Sequence, residues 1–363
     1  MKKLRIIHTE SSCGWGGQEL RVLNECAGMA ARGHEILIAA PEEAPICSEA
    51  RIQNLQIAGI PINRKSYRGY RVLGEAISGF RPDIVVTHSS TDSWLAALAN
   101  IGKKIPIVRT RHVSAPIPAN PATRWLYTRA SNHVVTTGEA LRRQVMQQTG
   151  LGADRVTSVP TGIDLQVFSP GDRQASRVLV GLPESVFIVG IVATLRSWKG
   201  HRFLVDAFAS IQDQKMLLVI VGDGPGRDNL HAQCRSRGIE DRVIMPGNQK
   251  HVANWIRSFD LFVLPSYANE GVPQALMQAM ACGLPVITTP VGAIGEIVEN
   301  ETTGLMVEPQ SADEIARAVC RLRDDELLRE RLGEAALAVA KTRFSSDRML
   351  DAMETVFARV LGE

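Results

Sequence analysis

The sequence predicts an α/β protein built as two doubly wound parallel-sheet domains. Three observations carry that expectation. The chain has 363 residues, more than one typical hydrophobic core organises. Its opening reads strand, glycine-rich loop, helix, strand, which is the grammar of a doubly wound sheet. After a polar, turn-rich run from Ser169 to Ser176, a fully apolar strand from Phe187 to Ala193 begins the same alternation again.

In chain order, Leu4-Arg5-Ile6-Ile7-His8 is the first strand. The loop Thr9 to Glu19 opens a helix running to about Ala31, and Gly33 to Ala39 is the second strand. Asp83 to His88, Ile105 to His112 and Asn132 to Thr137 follow as strands with polar ends, and Arg155 to Asp164 closes the half. In the second half Lys215 to Pro225 is strand and turn, Val243 to Gln249 strand and loop, and Leu261 to Pro265 a short buried strand. The C-terminus is helical over roughly 311–323, 326–341 and 345–361, the last opened by Ser345-Ser346-Asp347 as cap signals. Leu350, Met353, Phe357 and Val360 give that last helix an apolar face.

Composition narrows the class. Charged residues are 22% and hydrophobic residues 45%, as in an ordinary globular protein. The net charge of +3 is unevenly spread, with 20 Lys/Arg against 13 Asp/Glu in residues 1–170 and 21 against 25 in the remainder. A basic N-terminal half suits an anionic acceptor or a membrane surface, and scattered surface charge meets the count as well. The six cysteines show no CxxC pairing and no zinc-like histidine spacing, and read as buried reduced thiols of a cytoplasmic protein. Met1-Lys2-Lys3 precedes only a short apolar run broken by Arg5, which is not a signal-peptide pattern. No run approaches the roughly 18–20 apolar residues of a membrane span.

The densest basic stretch, Arg64-Lys65-Ser66-Tyr67-Arg68-Gly69-Tyr70-Arg71, is too short for the basic field that nucleic acid requires. It fits an acceptor phosphate, a lipid surface or simply a solvated helix start. The loop Gly14-Trp15-Gly16-Gly17 is not GxGxxG, and no acidic residue ends the second strand, so a nicotinamide cofactor is not expected.

The most informative stretch runs from Asn269 to Thr289. Gly271 frees the backbone, Pro273 sits where a first helical turn tolerates a residue without N–H, and Leu276, Ala279, Met280 and Gly283 recur at helical spacing. Gln274 and Gln278 share a face, with Glu270 just before the helix. An acidic group, two amides and helix-start N–H groups thus meet at a strand's carboxyl end, where open α/β sheets bind ligands and phosphates find donors. An ordinary strand–loop–helix with solvated polar residues fits the spacing equally well.

This stretch resembles the donor-site signature of retaining nucleotide-sugar glycosyltransferases of family GT4, or group 1, which have the GT-B fold. Glu270 matches the first glutamate of the pattern and Ala279 to Val286 its small-residue run. Gln278 stands where the family has a second glutamate, keeping the hydrogen-bonding group without the charge. Gly16-Gly17-Gln18-Glu19 is similar to the family's glycine-rich segment, whose amides approach the donor. Lys199-Gly200 match its phosphate-binding lysine and glycine. Thr194 occupies the usual arginine position, and Arg196, two residues later, is the candidate to reach the same phosphate. His112 sits where the family has its active-site histidine.

The resemblance implies two Rossmann-like domains facing a cleft. They are an acceptor-binding domain over 1–168, with the helix 345–363 crossing back to it, and a donor-binding domain over 169–344. It implies a retaining, metal-independent transferase moving a sugar from a nucleotide-diphosphate donor to a glycan or lipid-linked acceptor, in lipopolysaccharide or other envelope polysaccharide synthesis. His112 and Glu270 are the expected catalytic residues. Gly16, Gly17, Arg196, Lys199, Gly200, Asn248, Gly271, Val272, Pro273, Gln274 and Gln278 are the expected donor contacts. Nothing resembles a DxD metal site, and no resident cofactor or nucleic-acid partner is implied. A peripheral contact of the basic N-terminal half with the inner face of the cytoplasmic membrane is a further expectation. A GT-B epimerase or hydrolase, and a non-catalytic sugar-nucleotide-binding protein, are the alternatives.

Overall fold

A computed structural model describes all residues except Met1, Ser114 and Asn269. The chain divides into two compact units, residues 1–162 with 346–363, and residues 163–345.

The first unit holds a seven-stranded, all-parallel sheet. Its strands are β1 (Arg5–Thr9), β2 (Glu35–Ala40), β3 (Gln56–Gly59), β4 (Ile84–Thr87), β5 (Ile107–Arg111), β6 (His133–Thr136) and β7 (Val156–Ser158), in the order β3-β2-β1-β4-β5-β6-β7. The chain winds outward from β1 to β3, then crosses to β4 and winds the other way, so the crevice between β1 and β4 is the topological switch point. Apolar strands such as Ile6-Ile7 and Val85-Val86 are buried because helices cover both sheet faces. One face packs Ile6, Ile38 and Val86 against Val22, Cys26 and Met29, and the other packs Ile7, Leu37 and Val85 against Leu73, Ile77 and Leu95.

The last helix, Ser346–Leu361, belongs to this unit and completes the first of those faces with Met349, Leu350, Met353, Val356 and Phe357. Its apolar stripe is the one read from the sequence, except that Val360 is only partly buried. Arg32 holds it by ion pairs of 2.7 Å to both Asp351 and Glu354.

The second unit holds six parallel strands: β8 (Phe187–Val192), β9 (Met216–Val221), β10 (Val243–Gly247), β11 (Leu261–Leu264), β12 (Val286–Thr288) and β13 (Leu305–Met306). Their order, β10-β9-β8-β11-β12-β13, puts its switch point between β8 and β11. Its core gathers Ile188, Ile191, Leu218, Phe262, Leu276, Met277 and Met280 around the sheet.

Three strands lie beyond those read from the sequence. β3 is a half-exposed edge strand, and β7 and β13 are three and two residues long, so none carries the apolar run that marks a buried strand. The helix after β11 is Gln274–Ala281, one residue shorter at its start than the spacing suggested. Pro273 takes an extended ψ of 119° as the N-cap, a position where the backbone is not yet helical.

Candidate functional site

In the second unit the loops leaving β8 and β11 meet at the switch point. Gly200 stands at φ +78°, and a Cβ there would lie 1.9 Å from the Pro265 carbonyl oxygen. Only glycine allows the two loops to approach this closely. The Tyr267 N–H donates to the Trp198 carbonyl at 2.9 Å, which stitches the loops a second time.

This contact brings together two residues singled out from the sequence. The Lys199 ammonium donates to Glu270 Oε1 at 2.6 Å, with the Glu270 side chain 4% and that of Lys199 21% exposed. The Ser266 hydroxyl donates to the same Oε1 at 2.5 Å, and Thr289 in turn donates to the Ser266 carbonyl at 2.5 Å. Gly292, at φ +63°, backs the Glu270 peptide so closely that a Cβ would lie 2.1 Å from its carbonyl oxygen. A buried carboxylate is thus held by an ammonium and a hydroxyl, and a fixed backbone supports it. Buried charge is retained at such a place only when paired and hydrogen-bonded.

Around this pair, Gly271, Val272 and Pro273 connect Glu270 directly to the helix Gln274–Ala281, whose first N–H groups carry its positive dipole end. Gln274 and Gln278 follow one turn apart on that helix, both half-buried. Arg196 is exposed and its guanidinium lies 5.3 Å over the Trp198 ring, in the turn that carries Lys199. Asn248 is exposed beyond β10, after Gly247 at φ +77°. Asn269, the first residue of the signature stretch, lies outside the described residues. Ser266 and Thr289 were not singled out from the sequence, whereas Gly292 lies in the run Val291 to Glu296, which resembles a glycine turn of the family. Ser266 lies two residues past an apolar strand and four before Glu270, and that spacing is the only signal it gave.

The first unit has its own polar cluster across its switch point. His8 lies in β1, His88 just beyond β4 and His112 just beyond β5, on three neighbouring strands. His8 Nδ1 and His88 Nε2 are 3.1 Å apart, and His88 Nδ1 and His112 Nε2 are 3.1 Å apart. Asp92 anchors the middle ring's backbone, accepting from the His88 and Ser89 N–H groups and the Thr9 hydroxyl, each at 2.8 Å. His8 and His88 are buried and His112 is half-buried. Burial, with Arg21 as the nearby cation, lowers the His8 imidazole to about 3 and holds His112 well below the usual range. For His88, burial acts first and the charges of His112, His8 and Arg21 add to it. All three rings are therefore neutral at neutral pH.

Glu10, just beyond β1, accepts from the Ser12 N–H at 2.8 Å and from Gln18 Nε2 at 2.7 Å. Burial and the neighbouring Asp92 charge raise its carboxyl to about 8. Gly16 is the N-cap of the helix Gly17–Ala31, so the glycine loop opens that helix as its sequence predicted. Among the described residues no group of three or more His, Cys, Asp or Glu side chains is placed to hold a metal ion. No helix among them is long and apolar enough to cross a membrane.

The basic stretch lies at the surface of the first unit. Tyr67 is 79% and Tyr70 37% exposed at the start of the helix Tyr67–Phe80, with Arg64, Lys65, Arg68 and Arg71 exposed beside them. Lys65 reaches over the Trp94 ring, which stacks on Trp125 with ring centres 5.7 Å apart.

Comparison with known proteins agrees with this geometry. Residues 172–339 match the family described as Glycosyl transferases group 1, and residues 15–167 match Glycosyltransferase Family 4. An N-acetyl-alpha-D-glucosaminyl L-malate synthase of Bacillus anthracis is 30% identical over 269 residues, covering 72% of this chain and 70% of that protein. A D-inositol 3-phosphate glycosyltransferase of Kribbella flavida is 27% identical over 285 residues, covering 71% of this chain and 67% of that protein. Among solved structures, Anabaena HepE in complex with UDP and glucose superimposes with a TM-score of 0.86 at 20% identity, covering 98% of this chain and 100% of that one. The two units are thus the paired parallel-sheet domains of a GT-B fold, and the chain belongs to the group 1 (family 4) glycosyltransferases.

Proposed function

We propose that this glycosyltransferase is retaining and metal-independent, and moves a sugar from a nucleotide-diphosphate donor to an acceptor hydroxyl in the synthesis of a cell-envelope glycan, lipopolysaccharide or another polysaccharide. The observation that carries the reading is the Lys199–Glu270 pair at the mouth of the second switch point, beside the start of the helix Gln274–Ala281. An open α/β sheet takes its ligand at this place, and a diphosphate finds there both an ammonium and the positive dipole end of a helix. As the bond to the sugar breaks, charge grows on the leaving phosphate, and these donors stabilise it without a metal. Glu270 holds sugar hydroxyls. His112 is the second catalytic residue, and the leaving phosphate takes the acceptor's proton on the same face of the sugar. Arg196, Asn248 and the Gly16-Gly17 amides add further donor contacts. HepE carries UDP and glucose on the same fold, which supports a nucleotide-sugar donor.

The envelope part of the reading rests on the exposed Tyr67 and Tyr70 among Arg64, Lys65, Arg68 and Arg71. Amphipathic aromatic rings interleaved with cations suit an anionic lipid surface, which supports the reading of a cytoplasmic protein held peripherally at the membrane's inner face.

The test is a thermal-shift screen of nucleoside diphosphates and nucleotide sugars with EDTA present, followed by product analysis with envelope-derived acceptors. A ligand at 100 times its dissociation constant adds about 2.7 kcal/mol of stability. Stabilisation by one nucleotide, and a glycoside whose anomeric configuration matches the donor, are expected. Free sugar as the sole product marks a hydrolase instead. Turnover that stops with EDTA and returns with Mg²⁺ overturns metal independence.

A further inference from the structure

We propose that His8 and His88 are positioning residues that fix the tautomer and ring orientation of His112, so that its Nδ1 carries the proton. The inference deepens the transferase reading and rests on it for its consequence.

The three imidazoles form a single file. Each junction brings Nδ1 of one ring to Nε2 of the next at 3.1 Å, and the ring centres are 5.3 Å apart at both junctions. A neutral imidazole has one N–H and one lone pair, so each junction holds one proton. Because His88 owns a single proton, only two patterns satisfy both junctions. In one, every ring is protonated on Nδ1, His8 donates to His88, and His88 donates to His112. In the other, every ring is protonated on Nε2 and donation runs the opposite way.

The closed end of the file chooses between them. His8 Nε2 is buried and has no hydrogen-bond partner among the described residues. The second pattern would put an N–H on that atom with nothing to accept it, and orphaned buried N–H groups are rare because they forfeit hydration without compensation. The first pattern leaves only a lone pair there. Neutrality is enforced by burial and by the Arg21 cation, which acts on all three rings. Arg21 is itself fixed, donating to the Val159 carbonyl at 2.7 Å and lying 3.6 Å from Glu25.

In this pattern the Nε2 lone pair of His112 is used inside the protein, and Nδ1–H is the group left for a ligand. His112 therefore meets a bound sugar as a hydrogen-bond donor and does not accept a proton from it. His8 and His88 act through His112, and neither is assigned a contact with substrate.

The experiment is long-range ¹H–¹⁵N correlation spectroscopy of the full chain labelled with ¹⁵N-histidine near pH 7.5, with His8→Phe, His88→Phe and His88→Gln beside the wild type. The wild-type His112 should show a protonated Nδ1 and a bare Nε2. His8→Phe frees His88 Nε2 and should give a mixture of tautomers at His112. His88→Phe should return His112 to the solution preference for Nε2–H. His88→Gln, whose amide can donate to Nε2, should restore the wild-type pattern. In kinetics, His88→Phe should lower kcat on the order of ten- to a hundredfold, with donor KM within about twofold and partial rescue in His88→Gln. His112 protonated on Nε2 in the wild type, or spectra of His112 unmoved by either substitution at His88, overturns the proposal. Should His88→Phe not fold, His8→Phe and His88→Gln still decide it. The expected spectra from a protein that transfers no sugar to any acceptor would uphold the tautomer and sink the transferase reading alone.

Discussion

Lys199 and Glu270, 71 positions apart in the chain, meet at 2.6 Å because the loops that carry them leave adjacent parallel strands at the point where the winding reverses. Removing either partner has different consequences. Lys199→Ala leaves a carboxylate that is 4% exposed, with Ser266 its one remaining side-chain donor among the described residues, so both stability and leaving-group stabilisation suffer. The expected loss in kcat/KM is about 10²- to 10³-fold, and the loss of stability about 1–3 kcal/mol, since Lys199 is partly solvated. Glu270→Gln keeps the shape and should cost less stability than Lys199→Ala while still impairing turnover. Steady-state kinetics with urea unfolding separates the two effects, and full activity in Glu270→Ala would remove Glu270 from the site.

Gly292 gives a second handle on the same carboxylate. At φ +63° with the Glu270 carbonyl 2.1 Å from where a Cβ would stand, Gly292→Ala must move the Glu270 peptide. Strain of this kind costs about 1–3 kcal/mol. The substitution should weaken donor binding as well as lower Tm, through the displaced Glu270 peptide. A variant that melts early but titrates with its nucleotide as the wild type does would show that Glu270 tolerates the shift.

Much of this arrangement was legible in the residues. The parallel-sheet grammar of both halves, the three C-terminal helices and the apolar stripe of the last one followed from periodicity and cap residues, and local pattern specifies these well. Lys199, Glu270 and His112 were found through motif resemblance. Ser266 gave no signal beyond lying four residues before Glu270. His8 and His88 stand at strand ends in the sequence, but what joins them to His112, and Thr289 to Ser266, is strand order, a long-range property that no local window contains. His8 sits inside a strand of otherwise ordinary pattern, and only the register of β1 beside β4, with His8 opposite Val86, brings it under His88. Edge strands β3, β7 and β13 were missed because short, part-exposed strands have little apolar signal.

Acid should destabilise the first unit through its histidines. In the unfolded chain an imidazole takes a proton near its ordinary 6.5, whereas folded His8 does so only at about 3. Between these values the unfolded state binds more protons, so stability falls as pH drops from about 6.5 towards 3. His88 and His112 shift in the same direction, with Arg21 as the facing cation. His8→Phe should flatten this acid limb in urea midpoints measured across that window. An unchanged slope would mean that His8 is protonated in the folded protein.

Glu10 works with the opposite sign. Its carboxyl is raised from 4.5 to about 8, so the folded state holds a proton that the unfolded state has released, and stability is lost as pH rises through that range. Burial is the main cause and the Asp92 carboxylate the second, with Gln18 and the Ser12 N–H opposing both. Glu10→Gln removes the titration while keeping an oxygen to accept from Ser12. It should gain stability relative to wild type progressively above pH 4.5, with the difference levelling off above about 8. A constant difference across the range would place the proton elsewhere in the Glu10–Asp92 pair.

The last helix offers a test of packing independent of the sites. Gly28, on the helix Gly17–Ala31, faces Leu350 so closely that a Cβ would lie 2.5 Å from Cδ1 and 2.9 Å from Cδ2. Leu350 is 4% exposed among Met349, Met353 and Phe357, so it has little room to yield. Gly28→Val should therefore overpack the contact and destabilise by about 1–3 kcal/mol, despite the better helix propensity of valine. Leu350→Ala alone should cost about 2–5 kcal/mol through the cavity it leaves. Combined, the valine fills part of the space the leucine vacates, so the double variant should be more stable than the sum of the two losses. A double-mutant cycle in urea measures that coupling directly. Simple additivity would mean that the two helices are not in contact at Gly28 in solution.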